Sequence, residues 1–242
     1  MKSQTFLTAE WRKLIMANYV VDSSVLMPYL PAHTTLDAYH GKCFLSLVGF
    51  MFQDTRLKGF HFPLHINFQE VNLRFYVTYD TPSDKKRGVV FIKELVPRSA
   101  LTFVANTFYG EHYETVPMRH KWHMSRAGQV INYRWKYDDW QKLQVVADTK
   151  PSPIQAGSEE EFITEHYWGY TKLRNGRTSE YEVVHPRWDV YQVLKHNIEV
   201  DFNRIYGQSF SFLNKMQPDS VLLAEGSEVM VRSGASIRLP VV

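Results

Sequence analysis

One stretch limits what this chain can become. Over residues 68–77, Val71, Leu73, Phe75 and Val77 share one parity, and Phe68, Glu70, Asn72, Arg74 and Tyr76 share the other. A period of two is that of a strand, whose successive side chains point to opposite faces. The first set must enter a core. The second places an acid, an amide, a base and a phenol on one short strand. Facing water, it is a solvated ladder; facing the inside of a closed sheet, it is a polar lining for a ligand. Glu70 and Arg74 stand about 13 Å apart along a strand, so neither can satisfy the other and each needs a partner elsewhere. The spacing by itself fits both readings.

Other strand signals surround this one. Residues 11–21 are apolar and β-leaning. Residues 43–52 are apolar on both faces, the pattern of a strand covered on both sides, and residues 35–39 read as its hairpin partner across His40-Gly41. Residues 89–96 are apolar except at Lys93 and Glu94. Residues 130–137 and 143–147 flank Asp138-Asp139, and residues 167–173 and 179–185 flank Asn175-Gly176, a pair that accepts the positive φ of a hairpin turn. Residues 220–224, 228–232 and 236–239 read as three short strands separated by Gly226 and Gly234. Short helices are predicted after the N-cap Asp22, over 99–110, after Ser158 with Glu161 in capping-box spacing, and from Asp201 to Gly207. Aromatic residues, 14% of the chain, favour strands. There is no βαβ alternation, no repeat and no break in composition. The expected fold is mainly β (α+β): one domain over residues 1–242, a mostly antiparallel sheet closed into a cone or barrel, with a few short helices.

A net charge of +3 and no basic run longer than Lys85-Lys86-Arg87 exclude nucleic acid as an expected partner; the triplet reads as a solvated turn. The single cysteine, Cys43, suits a reducing cytosol. No apolar run approaches the roughly 20 residues of a membrane helix, so the protein is expected in the cytoplasm, off the membrane. No phosphate loop and no nucleophile elbow occurs. Pro63 separates His61 from His65, and neither that pair nor His120/His123 has a carboxylate at ligand spacing, so no metal or cofactor is expected. Lys93, read with Phe91 and Leu95 as same-face neighbours, is a candidate imine-forming amine, because apolar surroundings disfavour the charged form. Its alternative is to pair with Glu70 or Glu94, or to reach the surface. Residues 109–113 and 165–170 are rich in aromatics with polar tips, which serve either pockets or cores.

Leu47-Val48-Gly49-Phe50, residues 67–77 and 87–94, Pro117-Met118-Arg119-His120, residues 165–170 and His185-Pro186-Arg187-Trp188 together resemble the uncharacterised bacterial YqjF-like family, in order and over nearly the whole chain. That family is grouped with acetoacetate decarboxylase-like proteins. The resemblance implies a β-cone enclosing a pocket. In the decarboxylases a lysine in an apolar pocket forms a Schiff base with a β-keto acid, a second lysine lowers its pKa, and a glutamate assists. The resemblance sets Glu70 in the place of that glutamate. The place of the lysine pair, near 109–113, holds Glu111, His112 and Tyr113 and no lysine. The resemblance thus implies the fold and the pocket without the decarboxylation, and a role for Lys93 would be a relocation of the nucleophile.

The leading expectation is a protein that binds a small anionic or carbonyl-bearing metabolite inside the cone. Its candidate lining is Glu70, Asn72, Arg74, His112, Tyr113, Arg119, His120, His166 and Tyr167, with Arg74 or Arg119 gripping a carboxylate through the guanidinium fork. The enzyme alternative is lyase- or hydrolase-like chemistry with Glu70 as base, His120 or His112 as acid and Lys93 as imine-former. A third reading is a non-catalytic scaffold with a filled interior. Beyond the ligand, the expected partner is a second copy pairing through exposed strand edges.

Overall fold

The structure, a computed structural model, describes residues 4–63, 65–97, 112–173 and 175–237. In chain order its strands are β1 (Thr5–Val21), β2 (Thr35–Leu36), β3 (Cys43–Leu57), β4 (Phe68–Asp80), β5 (Lys85–Val96), β6 (Tyr113–Thr115), β7 (Met118–Ser125) and β8 (Gly128–Tyr137). They continue as β9 (Asp139–Ala147), β10 (Ser152–Pro153), β11 (Trp168–Lys172), β12 (Thr178–Val184), β13 (Asp189–Tyr191), β14 (Val193–Glu199), β15 (Ser220–Arg232) and β16 (Ala235–Ser236). The short helices are α1 (Ser23–Leu26), α2 (Glu159–Thr164) and α3 (Phe202–Tyr206). Each begins where a side chain caps an orphan amide: Asp22 accepts from Ser24 N–H at 2.8 Å, Ser158 from Glu161 N–H at 3.2 Å, and Asp201 from Arg204 N–H at 3.0 Å. The helix expected over 99–110 lies outside the described residues.

The large sheet closes on itself. Around the ring run β15, β1, β3, β4, β5, β11 and β12, and β12 returns to β15. The chain is mostly strand and the ring mostly antiparallel, as the sequence patterns predict, with one parallel pairing. Each antiparallel pairing reverses direction, so a closed circuit needs an even number of them. A seven-strand ring therefore needs a parallel pairing, and β5–β11 supplies it through Trp168↔Gly88 and Gly169↔Val89. The other side of the β11–β12 hairpin joins β15 through Val183↔Val231 and Val184↔Met230. Ion pairs bridge both joints: Lys86–Glu180 at 2.9 Å and Arg232–Glu182 at 2.6 Å.

A second sheet, ordered β14-β9-β8-β7, covers the outside of the ring. Val71, Leu73, Phe75 and Val77 of β4 pack against it, with Ile131, Tyr133, Trp135, Leu143 and Val145 opposite. Burial of each such side chain is worth about 1.5–3 kcal/mol. Phe68 and Tyr76 point the other way and join Met16, Phe44, Val48 and Phe50 inside the ring. Strand β3 divides likewise, Leu45 and Leu47 outward and Phe44, Val48 and Phe52 inward, which is why its sequence is apolar on both parities. At Gly49 a Cβ would meet Leu143 and Tyr133 at 3.1 Å, so a missing side chain lets the two sheets approach.

Several local expectations are corrected. Strand β2 pairs with β4 (Thr35↔Thr78, Leu36↔Val77), and only the bridge Tyr39↔Lys42 flanks His40-Gly41. Residues 220–232 form one continuous strand: Gly226, at φ 83, lies so close to β1 that a Cβ would fall 1.9 Å from the Trp11 carbonyl oxygen. Lys85-Lys86-Arg87 opens β5 instead of forming a solvated turn. There Lys86 sits 3.7 Å over the Trp168 ring and Arg87 binds Asp37 at 2.8 Å. Strands β7 and β14 escape sequence reading because their residues are largely exposed and lack an apolar face. Among the described residues no helix is long and apolar enough to cross a membrane.

Candidate functional site

A cavity of about 270 Å³ lies within the ring. Strand β4 supplies Phe68, Glu70, Asn72 and Arg74 to its wall, and β5 supplies Phe91 and Glu94. Residues three apart on a regular strand would face opposite ways. Here the register slips between Leu73 and Arg74, which pair with Lys93 and Phe91. Ile92 is the extra residue of a β-bulge, and its insertion turns both Phe91 and Glu94 inward. The same slip separates Lys93 from Phe91. Lys93 pairs opposite Leu73 on the outer face, and its ammonium binds Glu114 at 2.9 Å.

The polar groups form two clusters. In the first, Asn72 Nδ2 donates to Glu70 Oε1 at 2.9 Å and the Tyr113 hydroxyl donates to Glu70 Oε2 at 3.2 Å. Glu70 is buried, and burial pushes its carboxyl up to about 7, against the bonds from Asn72 and Tyr113 and the charge of Arg74. In the second, His166 Nε2 donates to Asp37 Oδ2 at 3.0 Å, and Arg87 Nε donates to the same oxygen at 2.8 Å. Burial draws the His166 imidazole down to about 4, more strongly than its bond to Asp37 raises it. Burial would raise the Asp37 carboxyl, but the bonds from His166 and Arg87 prevail and hold it below the usual range. His166 is thus neutral near pH 7 with its proton on Nε2. Its Nδ1, a lone-pair acceptor, has no partner among the described residues.

Arg74 stands between the clusters in charge but bonds to neither. It is 9% exposed. Its Nε lacks a partner among the described residues and its Nη2 meets the Met16 sulfur at 3.9 Å. The guanidinium carbon lies 5.8 Å from the centre of the Tyr76 ring. No ion pair of Arg74 occurs among the described residues. A buried charge without a counter-ion is unusual, because desolvation is costly unless a partner compensates.

The cavity wall gathers Glu70, Asn72, Arg74, Tyr113 and His166. It does not include His112, Arg119, His120, Tyr167 or Lys93. His120 belongs to the outer sheet and bonds Gln69, whose parity on β4 is opposite to that of Glu70, so the expected Glu70–His120 pair is split across two faces of one strand. Arg119 lies exposed over Trp140, 4.6 Å from its ring. His112 is exposed just before β6, and the Tyr167 hydroxyl is taken by Glu165. Sequence reasoning missed Glu94, His185 and Trp188 as lining. For Glu94 the signal was its break in an apolar run, hidden by the bulge. His185 and Trp188, stacked at 4.2 Å, lie in the resembling segment 185–188, where the sequence carries no signal of a role. No lysine lines the cavity among the described residues, and residues 98–111 contain none.

Residues 8–228 match the family DUF2071, described as an uncharacterized conserved protein. The chain is 28% identical over 185 residues to the uncharacterized protein YqjF of Bacillus subtilis (strain 168), covering 74% of this chain and 72% of that protein. Solved structures share the fold. Acetoacetate decarboxylase from Legionella pneumophila superposes with a TM-score of 0.65 at 11% identity, covering 96% of this chain and 87% of that one. An acetoacetate decarboxylase-like enzyme from Sphingomonas wittichii RW1 gives 0.64 at 10%, covering 99% and 95%. The enduracididine biosynthesis enzyme MppR, in complex with pyruvate, gives 0.68 at 11%, covering 98% and 91%.

Proposed function

We propose, for a chain that belongs to the DUF2071 family, that the ring binds a small-molecule anion whose charge is met by the guanidinium of Arg74. The observation that carries this reading is a buried guanidinium without an ion pair among the described residues: Arg74 lines the cavity, and its Nε has no hydrogen-bond partner among those residues. A carboxylate would supply the missing acceptor pair, since a guanidinium offers two parallel N–H groups to a planar anion. Asn72 and His166 add uncommitted acceptors, Asn72 Oδ1 and His166 Nδ1, suited to a hydroxyl or enol on the same ligand. The fold relative MppR is described in complex with pyruvate, an anion of this class. Calorimetric titration with a panel of monocarboxylates tests the reading. Binding is expected in the wild type and is lost in Arg74→Met; equal binding by the variant refutes it.

A second reading, proton transfer on the bound anion, has one observation in its favour. Glu70 is poised near neutrality by burial, so it can take and return a proton at working pH. Solvent deuterium exchange into the carbon next to the carboxylate or carbonyl of a bound acid would report it, and loss of that exchange in Glu70→Gln would assign it. The absence of isotope uptake from every acid that binds removes this reading and leaves the first.

A further inference from the structure

The cavity is far longer than a three- or four-carbon acid, and its walls change character along its length. Arg74 marks one end. Six positions away on the same strand, about 20 Å along β4, Phe68 stacks on Phe52 with ring centres 4.6 Å apart and an interplanar angle of 14°. Trp11 packs edge-on against Phe50 and Phe52 at 5.1 and 5.7 Å and lies tilted against Trp188 at 6.3 Å. Beyond this aromatic belt the wall continues through Leu7, Leu57 and Phe62, and exposure rises from 9% at Arg74 to 49% at Phe62. The charged groups therefore cluster around the buried end, and apolar side chains, interrupted by Thr55 and His65, line the route to solvent.

An acid small enough to sit wholly at Arg74 would leave that aromatic passage in contact with water, which apolar walls disfavour. A molecule with a charged head and an extended apolar body satisfies both ends at once. We infer that the ligand is a carboxylate bearing a long acyl or aryl tail, bound head-first, with the head at Arg74 and the tail along the belt toward Phe62. The inference rests on the reading of Arg74 as the anion's counter-charge and adds the class of ligand.

The experiment is a chain-length series. Straight-chain saturated acids from acetate to palmitate, each below its micelle threshold, are titrated into the protein, with the matching primary alcohols as controls. Affinity is expected to rise roughly fourfold per added methylene, the equivalent of about 0.8 kcal/mol, and to level off once the tail reaches the rim. Phe62→Ser, a change at an exposed position, is expected to weaken only the longest acids, whereas Arg74→Met weakens all of them. Affinity that is flat along the series, or greatest for the shortest acids, overturns the inference; if Arg74→Met still abolishes that binding, the anion reading stands alone. Alcohols that bind as tightly as acids overturn the carboxylate head, and failure of every acid to bind overturns both readings.

Discussion

Replacing Arg74 by methionine is expected to make the protein more stable and less able to bind. Arg74 is nine-tenths buried, its Nε has no partner among the described residues, and its Nη2 meets only a thioether, at 3.9 Å, among them. A buried charge in that state costs several kcal/mol of desolvation, and no ion pair among the described residues offsets it. Methionine fills much of the same volume beside Met16 without the charge. The change also removes a positive charge that holds the Glu70 carboxyl down, so Glu70 keeps its proton to higher pH. The net gain is expected to be about 2 kcal/mol, which in a chain of this length raises Tm by roughly 4–8 °C. In return the variant loses one or two charge-assisted hydrogen bonds to the ligand, each worth about 1.5–3 kcal/mol, or roughly 10- to 150-fold in affinity. Scanning calorimetry of both proteins, with and without a bound acid, reads both effects. A lower Tm for the ligand-free variant would refute the reasoning, because it would mean that Arg74 holds the fold together and has no charge left over for a ligand.

Glu70 gives a pH signature of definite sign. Its folded pKa is raised to about 7 from an ordinary 4.5, so between those values the folded chain keeps a proton that the unfolded chain has released, and stability falls as pH rises through the window. His166, drawn down from 6.5 to about 4, acts with the opposite slope over nearly the same range, so the difference between wild type and Glu70→Gln is the quantity to measure. Urea unfolding should show the variant gaining on wild type by up to about 3 kcal/mol between pH 4.5 and 7; a constant difference would contradict the burial argument. Borohydride added with pyruvate or acetoacetate should leave every lysine unmodified by intact-mass and peptide analysis, since no described lysine lines the cavity; a stable adduct would disprove that exclusion. Gly226→Ala should destabilise by about 3 kcal/mol or more, because it joins a positive φ to a backbone overlap with Trp11. Near-wild-type unfolding in that variant would mean β1 and β15 can separate at little cost.

Much of the frame was legible because the local signals agree with the global fold. The alternation of β4 identified both of its faces, and the two-sided apolar run of β3 announced a strand between two layers. The caps Asp22, Ser158 and Asp201 marked three helices. What was not legible depends on partners distant in sequence. The bulge at Ile92 appears only in the register against β4, and it decides that Glu94 enters the cavity while Lys93 leaves it. Asp37 meets His166 across 129 positions, and nothing near either residue signals the other. The parallel joint of β5 and β11 follows from counting strands in a closed ring, and the count requires β7 and β14 to be recognised as belonging to a separate sheet. His120 looked like a partner for Glu70 because both lie in polar stretches; the parity of Gln69 and Glu70 sends them apart.

The β11–β12 hairpin is attached to the rest of the ring differently from its neighbours. Long ladders join β1 to β3 and β15, whereas this hairpin holds on at each side by a short run of backbone pairs, reinforced by Lys86–Glu180 and Arg232–Glu182. The wall thereby contains a cooperative unit of low opening energy, and its latch is ionic. Raising the salt shortens the reach of those charges toward a few ångströms, so amide exchange at Tyr170 and Thr171 should accelerate with ionic strength while exchange in the β1–β3 ladder does not. Uptake of a long acid that quickens with salt in step with that exchange would identify this side of the ring as its way in; uptake indifferent to salt would leave the aromatic passage as the route.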